Sequence, residues 1–502
     1  MNVLRTRSLL HLPLNRRRDM MKLPLWIAIC CCMPAASLCA LAETMHVQTN
    51  EPVLFVDDSM VAKSAGVKRT FHSVTKHPAN PLLKPDREWE SQYCIYGSVM
   101  YDREAGLFKM WHYGGIVDAV GPYVMYATSK DGVQWNRPAL GLFEVPNRKV
   151  ENNIALASWK DFRFEMQTVL FEPEDDAKKR YKMLLSAHSS PWSARPNYYI
   201  WYSADGIHFN RGEQFGVEKP GYVDVGVLVR NPKTKRYRLY HRAEHHGRAV
   251  AYKESEDLKN WTPSQLIIHT DQQDPPGSEL YKFSPFPYGN YWIGMLTYYN
   301  HNLDHGMLWP ELAWSLDGID WKRHREPFIP LGSSGEWDRF NNSVATQPLI
   351  VGDELWFYYS GRTMQHDANQ GGDDRGPHWG AIGLAKLRLD GFVSLDASFD
   401  GGTVETRPFI LPEGELFINA TCDFGEVGIE VLDKNGQLLK GYKSTPLKGD
   451  GVFLPVGWTG GHKLTSLAGK TVALRFTLNN ARLYSFRVGQ GSGLQHLSWK
   501  TD

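Results

Sequence analysis

The sequence predicts an all-β protein, a five-bladed β-propeller followed by a C-terminal β-sandwich, on three observations. First, the phrase SKDGVQW (129–135) returns as SADGIHF (203–209), SEDLKNW (255–261) and SLDGIDW (315–321). Each copy has Ser, then Asp two residues on, then an aromatic four residues after the Asp. Second, β-type runs precede every copy, with alternating side chains, short turn clusters and no amphipathic helical stretch. Third, past about residue 396 the phrase stops while strands continue. Units of 50 to 75 residues are too long for a solenoid and suit four-stranded blades, whose radial packing leaves only short edges.

The elements follow in chain order. Arg5, Arg7, Arg16 to Arg18 and Lys22 precede the apolar run LPLWIAICCCMPAASLCALA. That layout reads as a secretory signal over residues 1–42, with Ala40-Leu41-Ala42 as the cleavage site and RRDMMK (17–22) as a loose twin-arginine feature. The protein is therefore expected to be exported, periplasmic or extracellular, and off the membrane after cleavage. Removing residues 1–42 takes away six Lys/Arg and one Asp, leaving 50 basic against 54 acidic side chains. No basic stripe remains, which excludes a nucleic-acid partner. Of six cysteines only Cys94 and Cys422 survive. They form neither a disulfide framework nor a CxxC metal site, so packing must hold the fold.

The propeller is expected over 50–395. The first strands of its blades are CIYGSVMYD, EMQTVLFEP, VDVGVLVRN, LYKFSPFPY and NNSVATQPLIVGD. The second strands are GLFKMWHYGG, KRYKMLLSAH, KRYRLYHRAE, YWIGMLTYY and ELWFYYSGR. AIGLAKLRLDGF (381–392) is a worn fifth copy of the repeat, and VLFVDD (53–58) is expected to close the last blade as its outer strand. The repeated phrase falls at the turn after the third strand. There an Asp carboxylate accepts turn N–H groups, Gly permits positive φ, and the aromatic packs between blades. Asp131, Asp205, Asp257 and Asp317 are thus read as architecture. Residues 396–495 read as the β-sandwich, either a sugar-binding module or a structural one.

In such a propeller the segments leading into the first strand and out of the second open on one face, around the axis. Leading in are Glu88, Glu90, Asp161, Glu165, Tyr222, Asp224, Glu279 and residues 338–342. Leading out are His112, Tyr113, His188, Arg242, Glu244, His245, His246, Tyr299, His301 and Arg362. Carboxylates from separate blades, ringed by aromatics, His and Arg, make a mouth for a polar ligand. Asp224, Glu279, Glu165 and Glu90 are the catalytic candidates; Glu88 and Glu90 also fit a bland reading as solvated loop charges. His112, His188, Arg242, His245, Tyr299 and Arg362 are the substrate-binding candidates. Arg242 and Arg362 would suit a sulfated or uronic acid unit, and salt-bridged core arginines are the plainer alternative. No metal ligands are assigned and no cofactor is required, with a structural calcium left open.

NPLLKPDREWE, GLFKMWHYGG, YATSKDGVQWNRPALGLFE and SGEWDRFNNSVATQPLI…DELWFYYSG resemble the five-bladed propeller glycoside hydrolases of families 32 and 43 and the mannoside phosphorylases of family 130. The resemblance spans residues 80–390, and the trailing sandwich matches the family 32 layout. It implies three acids from the inner strands of successive blades. The Asn-Asp-Pro and Arg-Asp-Pro signatures of family 32 are absent, leaving Glu90 and Glu165 as the nearest acids. Asp224 stands where a Glu-Cys motif would supply Glu. A carboxylate ring of this kind supports hydrolysis of a glycosidic bond in a carbohydrate substrate, one acid protonating the leaving oxygen while a carboxylate attacks C1 or activates water. The competing readings are a non-catalytic glycan-binding propeller, a family 130-like phosphorylase using Arg242, His245 and Arg248, and a sialidase-like enzyme.

Overall fold

The computed structural model describes residues 45–116, 122–145, 147–159, 162–188, 197–216, 223–303, 306–366 and 380–490. The expected signal segment, Asp161 and Tyr222 lie outside the described residues. Among those described, every regular element is a strand except one turn of 3-10 helix at Leu464–Leu467.

Five sheets form the five-bladed propeller. Blade I runs Glu90–Asp102, Leu107–Ile116, Tyr123–Ser129 and Ile154–Ala157. Blade II runs Arg163–Phe171, Tyr181–His188, Asn197–Ser203 and Asn210–Phe215. Blade III runs Gly226–Arg230, Tyr237–Glu244, Arg248–Ser255 and Gln265–Ile268. Blade IV runs Ser278–Tyr288, Tyr291–Asn300, Met307–Ser315 and Lys322–Pro327. Blade V has a broken inner strand, Ser343–Val344 with Leu349–Val351, then Glu354–Arg362 and Gly380–Arg388. All pairings within blades are antiparallel. Apolar side chains on each blade face meet those of the next blade in a chain of cores. Tyr93, Phe108 and Ile95 of blade I, for example, share one with Ala345, Tyr358 and Leu384 of blade V, which closes the ring.

The closing strand differs from expectation. Thr75–Lys76 pairs with Ala385 and Lys386 at the outer edge of blade V, whereas Val53–Leu54 pairs with Ala481–Gly489 of the C-terminal sheet. The reason lies in the alternation of residues 53–56. Val53 and Phe55 bury in the sandwich core, while Leu54 and Val56 bury in the core of blades IV and V. Asp57 then clamps the segment to blade IV, accepting from Tyr291 Oη (3.0 Å), Trp314 Nε1 (3.2 Å) and Lys322 Nζ (2.7 Å).

The sandwich is a twelve-stranded sheet curled around its own core. Its longest strand, Glu415–Leu432, pairs with Leu447–Pro455, Thr471–Asn479 and Ala481–Gly489. The N-terminal strands Met45–His46, Val53–Leu54, Val61–Ala65 and Lys68–Phe71 belong to this sheet as well, so residues 50–71, read from sequence as propeller, pair with the C-terminal strands.

The repeated phrase is a turn built the same way four times. Ser129 Oγ donates to Asp131 Oδ1 (2.9 Å) and accepts Gly132 N (2.8 Å), while Asp131 Oδ1 accepts Val133 N and Gln134 N (2.8 and 2.7 Å). The Asp205, Asp257 and Asp317 turns repeat these bonds. Each turn also docks on the blade before it in the ring. Tyr358 Oη donates to Gly132 O (2.7 Å), Trp111 Nε1 to Gly206 O (2.6 Å) and Tyr240 Oη to Gly318 O (3.0 Å). A Cβ on Gly206 would stand 2.7 Å from the Trp111 ring, so glycine is required by space as well as by its φ of +79°. Blade III has Leu258 in that place, still at φ +65°, and its side chain fills the core between blades II and III beside the aliphatic Leu184. In the fifth copy the Asp has been reassigned. Asp390 accepts from both Nη atoms of Arg487 (2.5 and 2.7 Å), Ser485 Oγ (2.6 Å) and Tyr288 Oη (2.6 Å), which ties propeller to sandwich.

Candidate active site

The blade II inner strand sets the geometry. Phe164 and Met166 bury between blades I and II, so by the period-2 rule Glu165 takes the other face. There it feels the charges of Asp224, two residues before the blade III inner strand, and of Arg362, which ends the second strand of blade V. Burial first, and then the Asp224 charge, push the Glu165 carboxyl up to about 8, against the opposing pull of Arg362.

Asp224 Oδ2 accepts from Arg242 Nη1 at 2.9 Å, and the same guanidinium grips Glu244 Oε1 through Nε and Nη2 at 2.9 and 2.6 Å. Glu279, the second residue of the blade IV inner strand, receives Arg248 Nη1 on Oε2 at 2.5 Å and has His301 Nε2 3.2 Å from Oε1. Burial raises Glu279, but Arg248 and His301 outweigh it and the carboxyl sits below its ordinary value. Arg248 also lies over the rings of Tyr281 and Tyr299, 5.0 and 5.2 Å from their centroids. His301 Nδ1 pairs with Tyr299 Oη at 2.8 Å, and His366 Nε2 with Tyr281 Oη at 3.1 Å. Tyr281 interacts electrostatically with Asp224, Glu165 and Arg248, so acids from blades II, III and IV share one neighbourhood.

Tyr96 and Tyr113 of blade I and Tyr281 of blade IV surround Arg362, and burial raises the pKa of all three phenols. Next to Tyr281, Lys282 is fully enclosed. Its Nζ donates to Val344 O (2.7 Å) over the Tyr96 ring, and burial lowers it to about 8. Tyr96, Tyr281, Lys282 and His366 were not singled out from sequence. Tyr281 had a readable signal, lying two residues after Glu279 and hence on the same side of one strand.

Other sequence candidates take different places. Glu90 is completely buried and saturated: it accepts from Tyr93 Oη (2.5 Å), Arg137 Nη1 (3.1 Å), Asp86 N (3.1 Å) and Arg87 N (3.2 Å). That carboxylate pins the start of blade I, and it is neither a solvated charge nor open to a ligand. His112 is also fully buried, edge-on to Tyr93, with burial holding its imidazole down at about 3; no surface is left to touch a sugar. Strand alternation explains His112, which faces opposite to its neighbour Tyr113. Arg242 is engaged by two carboxylates, Tyr299 is enclosed, and exposed His245 packs on His269 just past the outer strand of blade III. His188 ends a strand opposite Arg163, and its side chain lies outside the described residues.

No protein-family model and no curated protein matches the chain. Among solved structures, an N-acetylgalactosamine deacetylase from F. plautii is similar at 13% identity and TM-score 0.43, covering 65% of this chain and 97% of that one. A glycosyl hydrolase from Bacteroides ovatus is similar at 15% identity and TM-score 0.45, covering 64% and 94%. The β-1,2-mannobiose phosphorylase from Listeria innocua is similar at 12% identity and TM-score 0.43, covering 63% and 97%. The three differ in the reactions they are named for. No activity follows for this chain from likeness at this level.

Proposed function

We propose that this protein is an exported glycoside hydrolase, with Glu165 as general acid and Asp224 as the partner carboxylate. The observation that carries the reading is the contrast between the two acids. Glu165 is held up to about 8 by burial and the neighbouring Asp224 charge, and the Asp224 carboxyl is hydrogen-bonded by Arg242. A carboxyl whose pKa is raised, set next to a second carboxyl from another blade, is what acid-assisted cleavage of a glycosidic bond needs. Glu279, Tyr281, His301 and His366 then contact sugar hydroxyls. Arg362 sets the field at the acid.

A second reading, a glycan-binding propeller without turnover, is favoured by the ion pairs on Asp224 and Glu279. One experiment separates the two: incubation of purified protein with a panel of plant, algal and sulfated glycans, with and without inorganic phosphate, followed by product analysis. Hydrolysis that needs no phosphate and falls about two to four orders of magnitude in Glu165→Gln and Asp224→Asn supports the enzyme. Tight binding with no product supports the binder. Phosphate-dependent cleavage makes it a phosphorylase.

A further inference from the structure

A cavity of about 840 Å³ lies away from the carboxylates. It opens at the opposite end of the propeller axis, where the inner strands of blades I and II finish at Asp102 and Phe171. Ser98, Thr168, Leu228 and Thr346, from four different blades, line its inner end. They are stitched to one another: Ser98 Oγ pairs with Thr346 Oγ1 at 2.8 Å and accepts Val169 N at 2.9 Å, and Thr168 Oγ1 accepts Leu228 N at 3.1 Å. The cavity has a preformed floor and a volume in the range of small-ligand sites.

We propose that this cavity is a second binding site, for a neutral oligosaccharide. The wall carries the half-buried aromatic rings of Tyr101 and Phe171, the latter backed by buried Tyr181, and such rings suit the apolar faces of a sugar. Its three cationic side chains face four carboxylates, and Lys109 is already paired with Asp102 at 2.6 Å, so no net field favours an ionic ligand. The wall is nonetheless rich in hydrogen-bonding groups. Arg180 lines the wall half-buried, and Gln347 presents an exposed amide. Stacking faces, balanced charge and spare hydrogen-bonding capacity together describe a polyhydroxylated, uncharged guest. The inference stands on this cavity alone and does not need the channel mouth to be catalytic. If both sites take the same polymer, the far end would hold the chain near the mouth by raising its effective concentration.

The test is calorimetric titration of Glu165→Gln protein, which protects the ligand from cleavage, with neutral tetrasaccharides of mannose, xylose, arabinose and fructose, and with a tetragalacturonate. Binding of a neutral saccharide that weakens about tenfold or more when Arg180→Ala or Tyr101→Ala is added is expected. The same substitutions in the otherwise native protein should leave turnover of a small aryl glycoside unchanged. Gln347→Ala, at an exposed position, serves if either variant loses its native melting transition. The proposal is overturned if no neutral saccharide binds, if binding ignores all three substitutions, or if only the tetragalacturonate binds. Absence of aryl glycoside turnover would count against the mouth as an active site and leave the binding result to decide this one.

Discussion

At Glu165, burial and the nearby Asp224 charge keep the carboxyl protonated through neutral pH, whereas Glu90, also at the start of an inner strand, is an enclosed carboxyl with four donors around it. The difference predicts opposite mutant behaviour. Because the Glu165 value is raised from 4.5 to about 8, its contribution to stability is complete below about pH 4.5 and disappears as pH climbs through 8. Denaturant melts of wild type and Glu165→Gln should therefore diverge between those limits, by about 1–3 kcal/mol. In kinetics, kcat/KM should fall above about pH 8 as the acid ionises. Glu165→Gln should recover much of its lost rate on a glycoside whose leaving group needs no proton; an unchanged alkaline limb in that variant would reassign the acid. Glu90→Gln should instead cost about 2–4 kcal/mol by uncoupling Arg137 in a buried site, with the folded fraction turning over substrate normally. None of this was visible in the sequence. Glu90 and Glu165 occupy the same kind of position there, and only neighbours from distant parts of the chain distinguish them.

The elements of the propeller are locked by complementary residues on successive blades. Where the second strand carries Trp111 or Tyr240, the docking turn carries Gly206 or Gly318; where it carries Leu184, the turn carries Leu258. The Gly206→Leu protein should lose about 2–4 kcal/mol, through the clash with Trp111 and a positive φ. Adding Trp111→Leu should return about 1 kcal/mol or more, a coupling that a double-mutant cycle of melting curves would reveal. Additive losses would mean that the turn and the aromatic do not act as a pair. The repeat itself was legible because Ser, Asp and Gly act locally within one turn. Its partner on the preceding blade was not, because tens of residues separate them. The fifth Asp shows the same limit. Asp390 resembles a turn residue in sequence, yet its carboxylate is captured by Arg487, Ser485 and Tyr288.

At the scale of the whole molecule, the two ends of the described chain meet in one sheet, and Leu54, Val56, Phe392, Val393 and Val452 fill the same core as blades IV and V. A fragment limited to residues 50–395 would leave that core open and strand the buried Asp390 without Arg487. Such a fragment should be insoluble or protease-sensitive, while residues 45–490 should melt in a single cooperative step by calorimetry; an independently folding 50–395 fragment would refute this coupling. The sequence by itself determined the all-β class, the five repeats, the turn chemistry and which inner strands carry acids. Those properties rest on period-2 alternation and on residues a few positions apart, interactions that any short stretch displays. Only the tertiary structure decided that Thr75–Lys76 closes the ring, that residues 45–71 join the sandwich, and that Glu165, Asp224 and Arg362 converge while Glu90 and His112 are sealed away. A strand reports that its faces are buried without naming what buries them, and a carboxyl's charge is set by groups brought to it from other blades.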